Sequence, residues 1–304
     1  THAQYGTSFG RFRRSRLYLP GNQPKLFLNA GIHQPDCIIL DLEDSVPPAE
    51  KDAARHIVRN ALRTLDFFGA ERMVRINQGE LGMQDLEAIV PHNVHTILLP
   101  KAETADQVIA MEAKVQAILK EQGLKQKIYY MPILESARGV LNAYEIATAS
   151  NNNVGLAMGL EDYTADIGTQ RTLEGKESFF ARSMLVNAAR AAGIQPIDTV
   201  FTDVSNEAAL RESVRVTKSM GFDGMGCIHP RQIKPIHEEF APAEAEILKA
   251  KRIIVAADEA EAKGLGVVAV GSKMIDPPVV KRAERTIRMA VDTGLLVENW
   301  KELD

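Results

Sequence analysis

Short apolar runs alternate with amphipathic segments along most of the chain. Several runs are apolar throughout, as expected for strands of a parallel sheet that is covered on both faces. The segments between them show helical periodicity, for example Val108, Met111 and Val115 within 104–122. Eight strands with eight following helices make up a (β/α)8 TIM barrel, an α/β fold. The predicted strands are Arg16–Leu19, Cys37–Leu42, Arg72–Ile76, Thr96–Leu99, Ile128–Leu134, Val154–Leu160, Thr199–Thr202 and Gly224–Ile228.

The pattern changes after residue 235. It predicts a long helix over 243–263, closed by Gly264, then a strand over 267–270, a short turn, and a second helix over about 279–293. This is a small helix–hairpin–helix extension.

We therefore predict three regions. Residues 1–13 form a flexible N-terminal segment, residues 14–240 form the barrel, and residues 241–304 form the extension. Such a tail commonly packs on a neighbouring subunit or covers a site, and we expect this one to contact a neighbouring subunit.

The residues just after the strands carry most of the candidate chemistry. In a barrel of this kind the loops after the strands share one face, where active sites form. Acids outnumber bases there, so a metal ion together with basic side chains would offset the cost of burying them. The groups on this rim are Pro20-Gly21-Asn22, Asp41-Leu42-Glu43-Asp44, Arg75 and Asn77, Pro100-Lys101, Glu135, Glu161-Asp162, Asp203 and His229-Pro230.

Two carboxylates at strand ends are candidate metal ligands. Glu135 follows one apolar run and Asp162 follows the next, with a helix-length segment between the runs. Converging oxygen ligands suit a hard divalent cation such as Mg²⁺. The alternative is helix capping, since acids favour the first turn of a helix, and Asp162 could cap a helix that starts at Tyr163. Glu161 and Asp166 are rivals for the metal.

Other rim residues have two interpretations each. Arg75 ends an apolar strand, so it could bind an anionic substrate through a bidentate carboxylate contact, or form a structural salt bridge to Asp41 or Glu43. Three acids could lie just beyond the metal's direct ligands and accept hydrogen bonds from metal-bound water: Asp41, Glu43 and Asp44. The alternative for these acids is pairing with basic side chains. His229 is interpreted as a hydrogen-bonded strand-end histidine.

Composition narrows the function classes. The 304 residues are 45% hydrophobic and 25% charged, and the net charge of -4 gives no reason to expect nucleic acid or an anionic membrane as partners. No apolar run approaches the length of about 20 residues that a membrane span needs, and the start lacks the apolar region of a secretory signal. Cys37 and Cys227 lie in apolar runs and are interpreted as free thiols of a cytoplasmic protein. The chain has no zinc motif and no glycine-rich dinucleotide fingerprint.

A series of motifs runs from about Arg14 to about Met289: RSRLYLPGN, IILDLEDSVPPAEKDAAR, MVRIN, LLPKAE, ILESARGVLNA, EDYTADIGTQR, ESFFARSMLVNAARAAGI, HPRQI, EAEAKGLGVV and KMIDPP. In this order and spacing they resemble the HpcH/HpaI aldolase and citrate lyase superfamily, and within it the citrate lyase β-subunit branch. The resemblance covers nearly the whole chain.

The resemblance implies a Mg²⁺-dependent carbon–carbon lyase. Its members cleave a 3-hydroxyacyl thioester, of the citryl type in citrate lyase, by a retro-Claisen reaction to a 2-keto acid such as oxaloacetate and an acetyl-type thioester. The acyl group rides on CoA or on an acyl carrier protein. The resemblance also implies a homo-oligomer, a trimer or hexamer, and a place beside the acyl carrier and transferase subunits of citrate lyase.

The family's site residues carry over onto four positions. Its metal acids fall on Glu135 and Asp162, and its substrate-binding arginine falls on Arg75. Apart from this correspondence, Arg16 and Glu135 are also predicted to bind the substrate. Asp276 of the KMID motif, which a neighbouring subunit often contributes, would protonate the carbanion that cleavage leaves.

Two departures leave other activities open. His229 stands where citrate lyase β chains have asparagine, whereas lyases that act on malyl or citramalyl thioesters often carry histidine there. MIDPP replaces the more usual MIDGP. Besides citramalyl-CoA or malyl-CoA cleavage, the alternatives are thioester hydrolysis on the same scaffold, an aldolase for free 2-keto-3-hydroxy acids, and a non-catalytic subunit that holds a carrier protein.

Overall fold

The computed structural model describes residues 11–262, 268–270 and 273–302, and the chain divides into two compact units, Thr1–His237 and Glu238–Asp304. In the first unit eight parallel strands close in chain order into a barrel, with β1 paired to both β2 and β8. The predicted (β/α)8 barrel is confirmed. The strands are β1 Ser15–Pro20, β2 Cys37–Asp41, β3 Glu71–Arg75, β4 Thr96–Leu99, β5 Tyr129–Leu134, β6 Gly155–Met158, β7 Gln195–Asp198 and β8 Gly224–Cys227.

The α-helices of the barrel region follow seven of these strands. They are α1 Lys51–Thr64, α2 Gly79–Ile89, α3 Ala105–Glu121, α4 Ala137–Leu141, α5 Ala143–Thr148, α6 Leu160–Asp166, α7 Phe179–Ala192, α8 Glu207–Ser219 and α9 Ile233–Phe240. None of the described helices combines the length and the apolar composition needed to span a bilayer.

The connection after β1 differs from the predicted pattern of eight helices. It contains two short 3-10 turns, Pro24–Leu26 and Ala30–His33, in place of an α-helix. The chain passes very close to the loop between α1 and β3 here, since a Cβ on Gly31 would lie 2.6 Å from the carbonyl oxygen of Phe67. Gly31 permits this close approach because it has no Cβ.

Most element ends differ from the predictions by only one or two residues, and two elements differ further. The seventh strand ends at Asp198, and the apolar segment 199–202 that was predicted as the strand is the loop after it. The Asp198 carboxylate explains the difference, because it is buried at the strand end against the guanidinium of Arg182 and the hydroxyl of Thr217. The helix predicted between β5 and β6 is broken at Asn142, whose side chain donates to the Glu103 carbonyl at 2.8 Å.

The end of the barrel where the strands begin is closed by buried ion pairs. The fully buried Arg13 donates to both carboxylate oxygens of Glu71, at 2.7 and 3.0 Å, and to Gln195 Oε1 at 2.6 Å. Arg11, the first described residue, lies 3.8 Å from Glu71. Residues 11–13, predicted as the end of a flexible segment, instead help to close the barrel. Residues 1–10 lie outside the described residues.

The second unit forms the predicted helix–hairpin–helix arrangement. Helix α10 spans Glu244–Ala262, an antiparallel pair joins β9 Val268–Val270 to β10 Lys273–Ile275, and α11 spans Pro277–Asp292. The predicted Gly264 cap and the turn residues 271–272 lie outside the described residues. A separate apolar core holds this unit together, formed by Ile247, Ala250, Ile253, Ile254, Ile275, Ala283, Ile287, Ala290 and Trp300.

Candidate active site

The alternation of side chains along the strands places ionisable residues inside the end of the barrel where the strands finish. Alternate residues of a strand face the same side, so the inward-facing residues continue the line of the apolar interior. On three strands an apolar interior residue is followed, two positions later, by an ionisable residue at the rim. The pairs are Ile39 and Asp41 on β2, Met73 and Arg75 on β3, and Ile133 and Glu135 at the end of β5. These ionisable residues line a cavity of about 370 Å³.

Arg75 is held by a bidentate ion pair. Its Nε and Nη2 donate to the two carboxylate oxygens of Asp41 at 2.6 and 2.7 Å, and its Nη1 lies 3.1 Å from Glu43 Oε2. The guanidinium carbon also lies 5.2 Å from the ring centroid of Tyr18. Burial alone would raise the pKa of Asp41, but the hydrogen bonds and charge of Arg75 hold it below its ordinary value. The structural salt bridge that the sequence left open is therefore present.

The acidic loop after β2 is fixed by a lysine that sequence reasoning missed. Lys51 Nζ donates to the carbonyl oxygens of Leu42 and Glu43 at 3.0 and 2.8 Å, and to Asn77 Oδ1 at 2.6 Å. The Glu43 carboxylate is buried and accepts from Gln78 Nε2 at 3.0 Å. Burial raises the pKa of Glu43 above its ordinary value.

Glu135 is a deeply buried carboxylate, and no basic side chain of the described residues lies at hydrogen-bond distance from it. It is 5% exposed, and its Oε1 accepts the main-chain N–H of Lys101 at 2.9 Å. Its Oε2 lies against Gly159, where a Cβ would come within 2.6 Å. The glycine therefore makes room for the carboxylate. Burial, and to a lesser extent the nearby charges of Glu43 and Asp162, raises the pKa of Glu135 to about 8.

Asp162 lies in the first turn of α6 and not at its cap. The helix begins at Leu160 with Gly159 in the N-cap position, so the alternative that Asp162 caps a helix from Tyr163 is wrong. The Asp162 side chain is 41% exposed, and its Oδ1 lies 3.5 Å from Lys101 Nζ. Lys101 therefore contacts both acids: its ammonium lies near Asp162, and its main-chain N–H donates to Glu135.

The two rival acids have other partners. Glu161 Oε1 pairs with Arg171 Nη1 at 3.0 Å, and Asp166 Oδ2 accepts the main-chain N–H of Ala137 at 2.8 Å. Glu161 lines the same cavity as Glu135 but is paired with Arg171, and Asp166 is occupied by the main-chain N–H at the start of α4. This difference favours Glu135 and Asp162 as the pair available to an added ligand.

Arg16 is a buried cation with incomplete pairing. It is 1% exposed, lines the same cavity, and its Nε and Nη2 have no hydrogen-bond partner in the part of the chain that the structure describes. Burying an unpaired guanidinium is costly, so an anion that enters the cavity would gain two unused donors. Arg75, by contrast, is already engaged by acids.

The charges of the site leave an excess that a divalent cation would match. Glu161 and Asp198 also line the cavity but are paired with Arg171 and Arg182. With every other group ionised, five acids face three bases, leaving two negative charges. Among the described residues no group of three or more His, Cys, Asp or Glu side chains could hold a metal without help. Mg²⁺ is commonly bound by one or two carboxylates, with water and substrate oxygens completing its shell, so the donor set fits. The acids are Asp41, Glu43, Asp44, Glu135 and Asp162, and the bases are Arg16, Arg75 and Lys101.

Three other predicted residues have local structural contacts. Asp203 accepts from the hydroxyl of Ser205 at 2.6 Å in the loop after β7, and His229 Nδ1 accepts the main-chain N–H of Arg231 at 3.1 Å. Asp276, in the second unit, is the N-cap of α11. Sequence reasoning missed Gly159, although a glycine directly after an apolar strand is a usable signal for close backbone approach.

The raised pKa of Glu135 gives a testable pH dependence. Its carboxyl holds a proton in the fold up to about pH 8, whereas the ordinary value is 4.5. Between pH 4.5 and about pH 8 the folded state therefore binds more protons than the unfolded state. The stability that this proton contributes is fully present below pH 4.5 and is lost as the pH rises to about 8. Denaturant unfolding in EDTA should show a falling free energy of unfolding across this window, by up to about 1.4 kcal/mol per pH unit from this group. Glu135→Gln should flatten the slope; an equal slope in the variant would contradict the assignment.

Comparison with known proteins places the chain in a family. The family model described as HpcH/HpaI aldolase/citrate lyase matches residues 14–230. A citrate lyase subunit beta from Leuconostoc mesenteroides subsp. cremoris is 42% identical over 283 residues, covering 92% of this chain and 94% of the relative. A mitochondrial citramalyl-CoA lyase from Homo sapiens is 33% identical over 291 residues, covering 91% and 85%. The crystal structure of CitE from Mycobacterium tuberculosis in complex with magnesium, acetoacetate and coenzyme A matches with a TM-score of 0.76 and 32% identity, covering 92% of this chain and 98% of that one. This chain belongs to the HpcH/HpaI aldolase/citrate lyase family.

Proposed function

We propose that this chain is a Mg²⁺-dependent lyase that cleaves a 3-hydroxyacyl thioester of the citryl type to oxaloacetate and an acetyl thioester. The observation that carries the proposal is the pairing of Glu135 and Asp162 at neighbouring strand ends, in a cavity that also contains the incompletely paired Arg16. Such a site offers two carboxylates to a cation and a guanidinium to an anion. The similarity to a citrate lyase subunit beta and to a CitE structure that contains magnesium and coenzyme A supports the same chemistry.

The residues would divide the work as follows. Glu135 and Asp162 would hold Mg²⁺, which supplies Lewis-acid chemistry to the substrate's oxygen atoms when bound. Arg16 would bind a substrate carboxylate through its two unused donors. Arg75, oriented by Asp41 and Glu43, would offset the charge that develops on the hydroxyl oxygen. Asp41, Glu43 and Asp44 would also accept hydrogen bonds from ordered water around the cation.

The bond changes follow from retro-Claisen cleavage. The hydroxyl group gives its proton to solvent water and becomes the keto group, while the bond between its carbon and the carbon next to the thioester carbonyl breaks. The electron pair of that bond passes to the thioester as an enolate, which a thioester stabilises well because sulfur donates poorly to the carbonyl. Asp276 would then protonate the enolate carbon as general acid.

The partners and the assembly belong to the same proposal. The acyl group would ride on coenzyme A or on an acyl carrier protein, and the chain would form a trimer or hexamer, alone or with the acyl carrier and transferase subunits of citrate lyase. The C-terminal extension would pack on a neighbouring subunit and bring Asp276 to its site. The buried free thiols of Cys37 and Cys227 suit a reducing, cytoplasmic location.

An assay of keto-acid release with Mg²⁺ over citryl-, citramalyl- and malyl-CoA tests the proposal. We expect oxaloacetate from citryl-CoA. The similarity to a citramalyl-CoA lyase favours pyruvate from citramalyl-CoA as the second candidate. Release of free CoA with an intact hydroxy acid would establish a hydrolase instead, and absence of turnover with all three CoA esters would direct the test to carrier-protein thioesters.

Arg16→Met should weaken substrate use without weakening the fold. A hydrogen bond to a charged group contributes about 1.5–3 kcal/mol, so loss of the carboxylate contact should lower kcat/KM by about 10- to 100-fold. Removing a buried, incompletely paired cation should leave the free energy of unfolding unchanged or raise it. Steady-state kinetics and denaturant unfolding of the ligand-free protein measure the two effects.

Arg13→Met is the matched control, because Arg13 is equally buried but fully paired with Glu71. Its loss should lower the free energy of unfolding by about 3–5 kcal/mol and leave kcat/KM of the folded fraction near that of the unaltered chain. If Arg16→Met proves as destabilising as Arg13→Met, Arg16 is a structural residue and not a substrate ligand.

A further inference from the structure

Lys101 connects the carboxylates of the proposed metal site in two different ways. It lies two residues after the end of β4, in a loop of the open rim, where its main-chain N–H donates to Glu135 Oε1 at 2.9 Å. Its ammonium lies 3.5 Å from Asp162 Oδ1, 3.7 Å from Glu43 Oε1 and 4.0 Å from Asp44 Oδ1. One residue therefore contacts four acids of the site.

The backbone of Lys101 adopts a conformation that is uncommon for a side chain with a Cβ. Its φ is 47°, in the left-handed region, where glycine would be free of strain. The next residue is fixed on both sides: Ala102 N–H donates to the Ile133 carbonyl at 3.0 Å, and a Cβ on Gly139 would lie 2.5 Å from the Ala102 carbonyl oxygen. Glycine at position 101 would still offer the N–H to Glu135. What lysine adds is the ammonium.

We propose that the Lys101 ammonium is an internal counter-cation for the metal-free site, and that it releases Asp162 when a divalent cation binds. This inference rests on the proposed metal site. Before the cation arrives, the ammonium offsets the repulsion among Glu43, Asp44 and Asp162. A cation held by Asp162 competes with the ammonium for the same carboxylate and is repelled by its charge. Lys101 therefore sets metal affinity as a positioning residue and is not itself a metal ligand.

Mg²⁺ titration calorimetry on the full chain tests this inference. Lys101→Met removes the charge but keeps the length of the side chain, and Mg²⁺ should then bind about tenfold more tightly, the effect expected when one like charge is removed from a largely hydrated site. Lys101→Arg keeps the charge and should bind Mg²⁺ within about twofold of the unaltered chain. Lys114→Met is the matched control, because Lys114 has the same side-chain exposure, 34%, and pairs with Glu87 on the outer helices. It should leave Mg²⁺ affinity unchanged.

A second readout covers the case in which Lys101→Met folds poorly. Lys101→Gly relieves the backbone strain, keeps the N–H to Glu135 and also removes the ammonium, so Mg²⁺ should raise its melting temperature more than it raises that of the unaltered chain. Unchanged or weaker Mg²⁺ binding in both Lys101→Met and Lys101→Gly would overturn the inference. Failure of the unaltered chain to bind Mg²⁺ would instead overturn the proposed metal site, so the two failures are distinguishable.

Discussion

Replacing Glu135 or Asp162 by alanine is expected to lower Mg²⁺-dependent keto-acid release by about a thousandfold or more. Each substitution removes one of the two carboxylates that the site offers to the cation, and with it the electrostatic stabilisation of the charge that develops on oxygen. The fold should persist, because Glu135 is a buried carboxyl whose pKa of about 8 shows that the fold disfavours its charge. Keto-acid release and melting curves recorded in EDTA separate loss of chemistry from loss of structure.

Glu161→Ala provides the control for this experiment. Glu161 directly precedes Asp162 in the chain, but it pairs with Arg171 across the surface. Surface ion pairs contribute little to stability, so we expect the variant to keep its melting temperature and to retain activity within about threefold. A large loss in Glu161→Ala with full activity in Asp162→Ala would reverse the assignment of the two acids.

The barrel could be predicted because its signals are local. Apolar runs of strand length and amphipathic segments of helix length identify a β/α repeat without any long-range information. The seventh strand was misplaced because a local criterion favoured the apolar segment 199–202 over 195–198, which contains Pro196 and ends in Asp198. Only the contact of Asp198 with Arg182, sixteen residues earlier, makes the acid acceptable at a buried strand end.

The sequence could predict which residues form the site, but not which basic side chain pairs with which acid. Strand ends identify Asp41, Arg75 and Glu135 as neighbours on one rim, since parallel strands end at one face. Which cation takes which acid depends on side-chain geometry that no spacing encodes. Arg75 could have been free and Arg16 paired; the structure has Arg75 engaged by Asp41 and Arg16 incompletely paired.

The raised pKa of Glu135 also could not be predicted from the sequence. Burial of the carboxyl beside Gly159, to 5% exposure, raises its pKa, and the hydrogen bond from the backbone N–H of Lys101 opposes that rise. Each contact spans at least twenty-four residues, so the property emerges only once β4, β5 and β6 lie side by side. Sequence reasoning can therefore nominate a carboxylate for metal binding, whereas its protonation state follows from the packing around it.

Asp276→Asn is expected to lower kcat by about 100- to 10,000-fold while the melting temperature stays unchanged. Asp276 caps α11, since its Oδ1 accepts the main-chain N–H of Val279 at 3.1 Å. Asparagine caps helices about as well as aspartate, so the substitution keeps the structural contact and removes the group that would protonate the enolate. Steady-state kinetics and melting curves of the same preparation give both quantities.

Two further variants separate the capping role of Asp276 from the acid–base role. Asp276→Ala loses both and should also lower the free energy of unfolding by about 1 kcal/mol, the usual effect of losing a helix cap. Asn206→Ala removes the equivalent cap of α8, where Asn206 Oδ1 accepts the main-chain N–H of Ala209 at 3.0 Å, and should lower stability by a similar amount with little change in kcat. Full activity in Asp276→Asn would show that Asp276 acts only as a helix cap. The proton for the enolate would then have to come from another group.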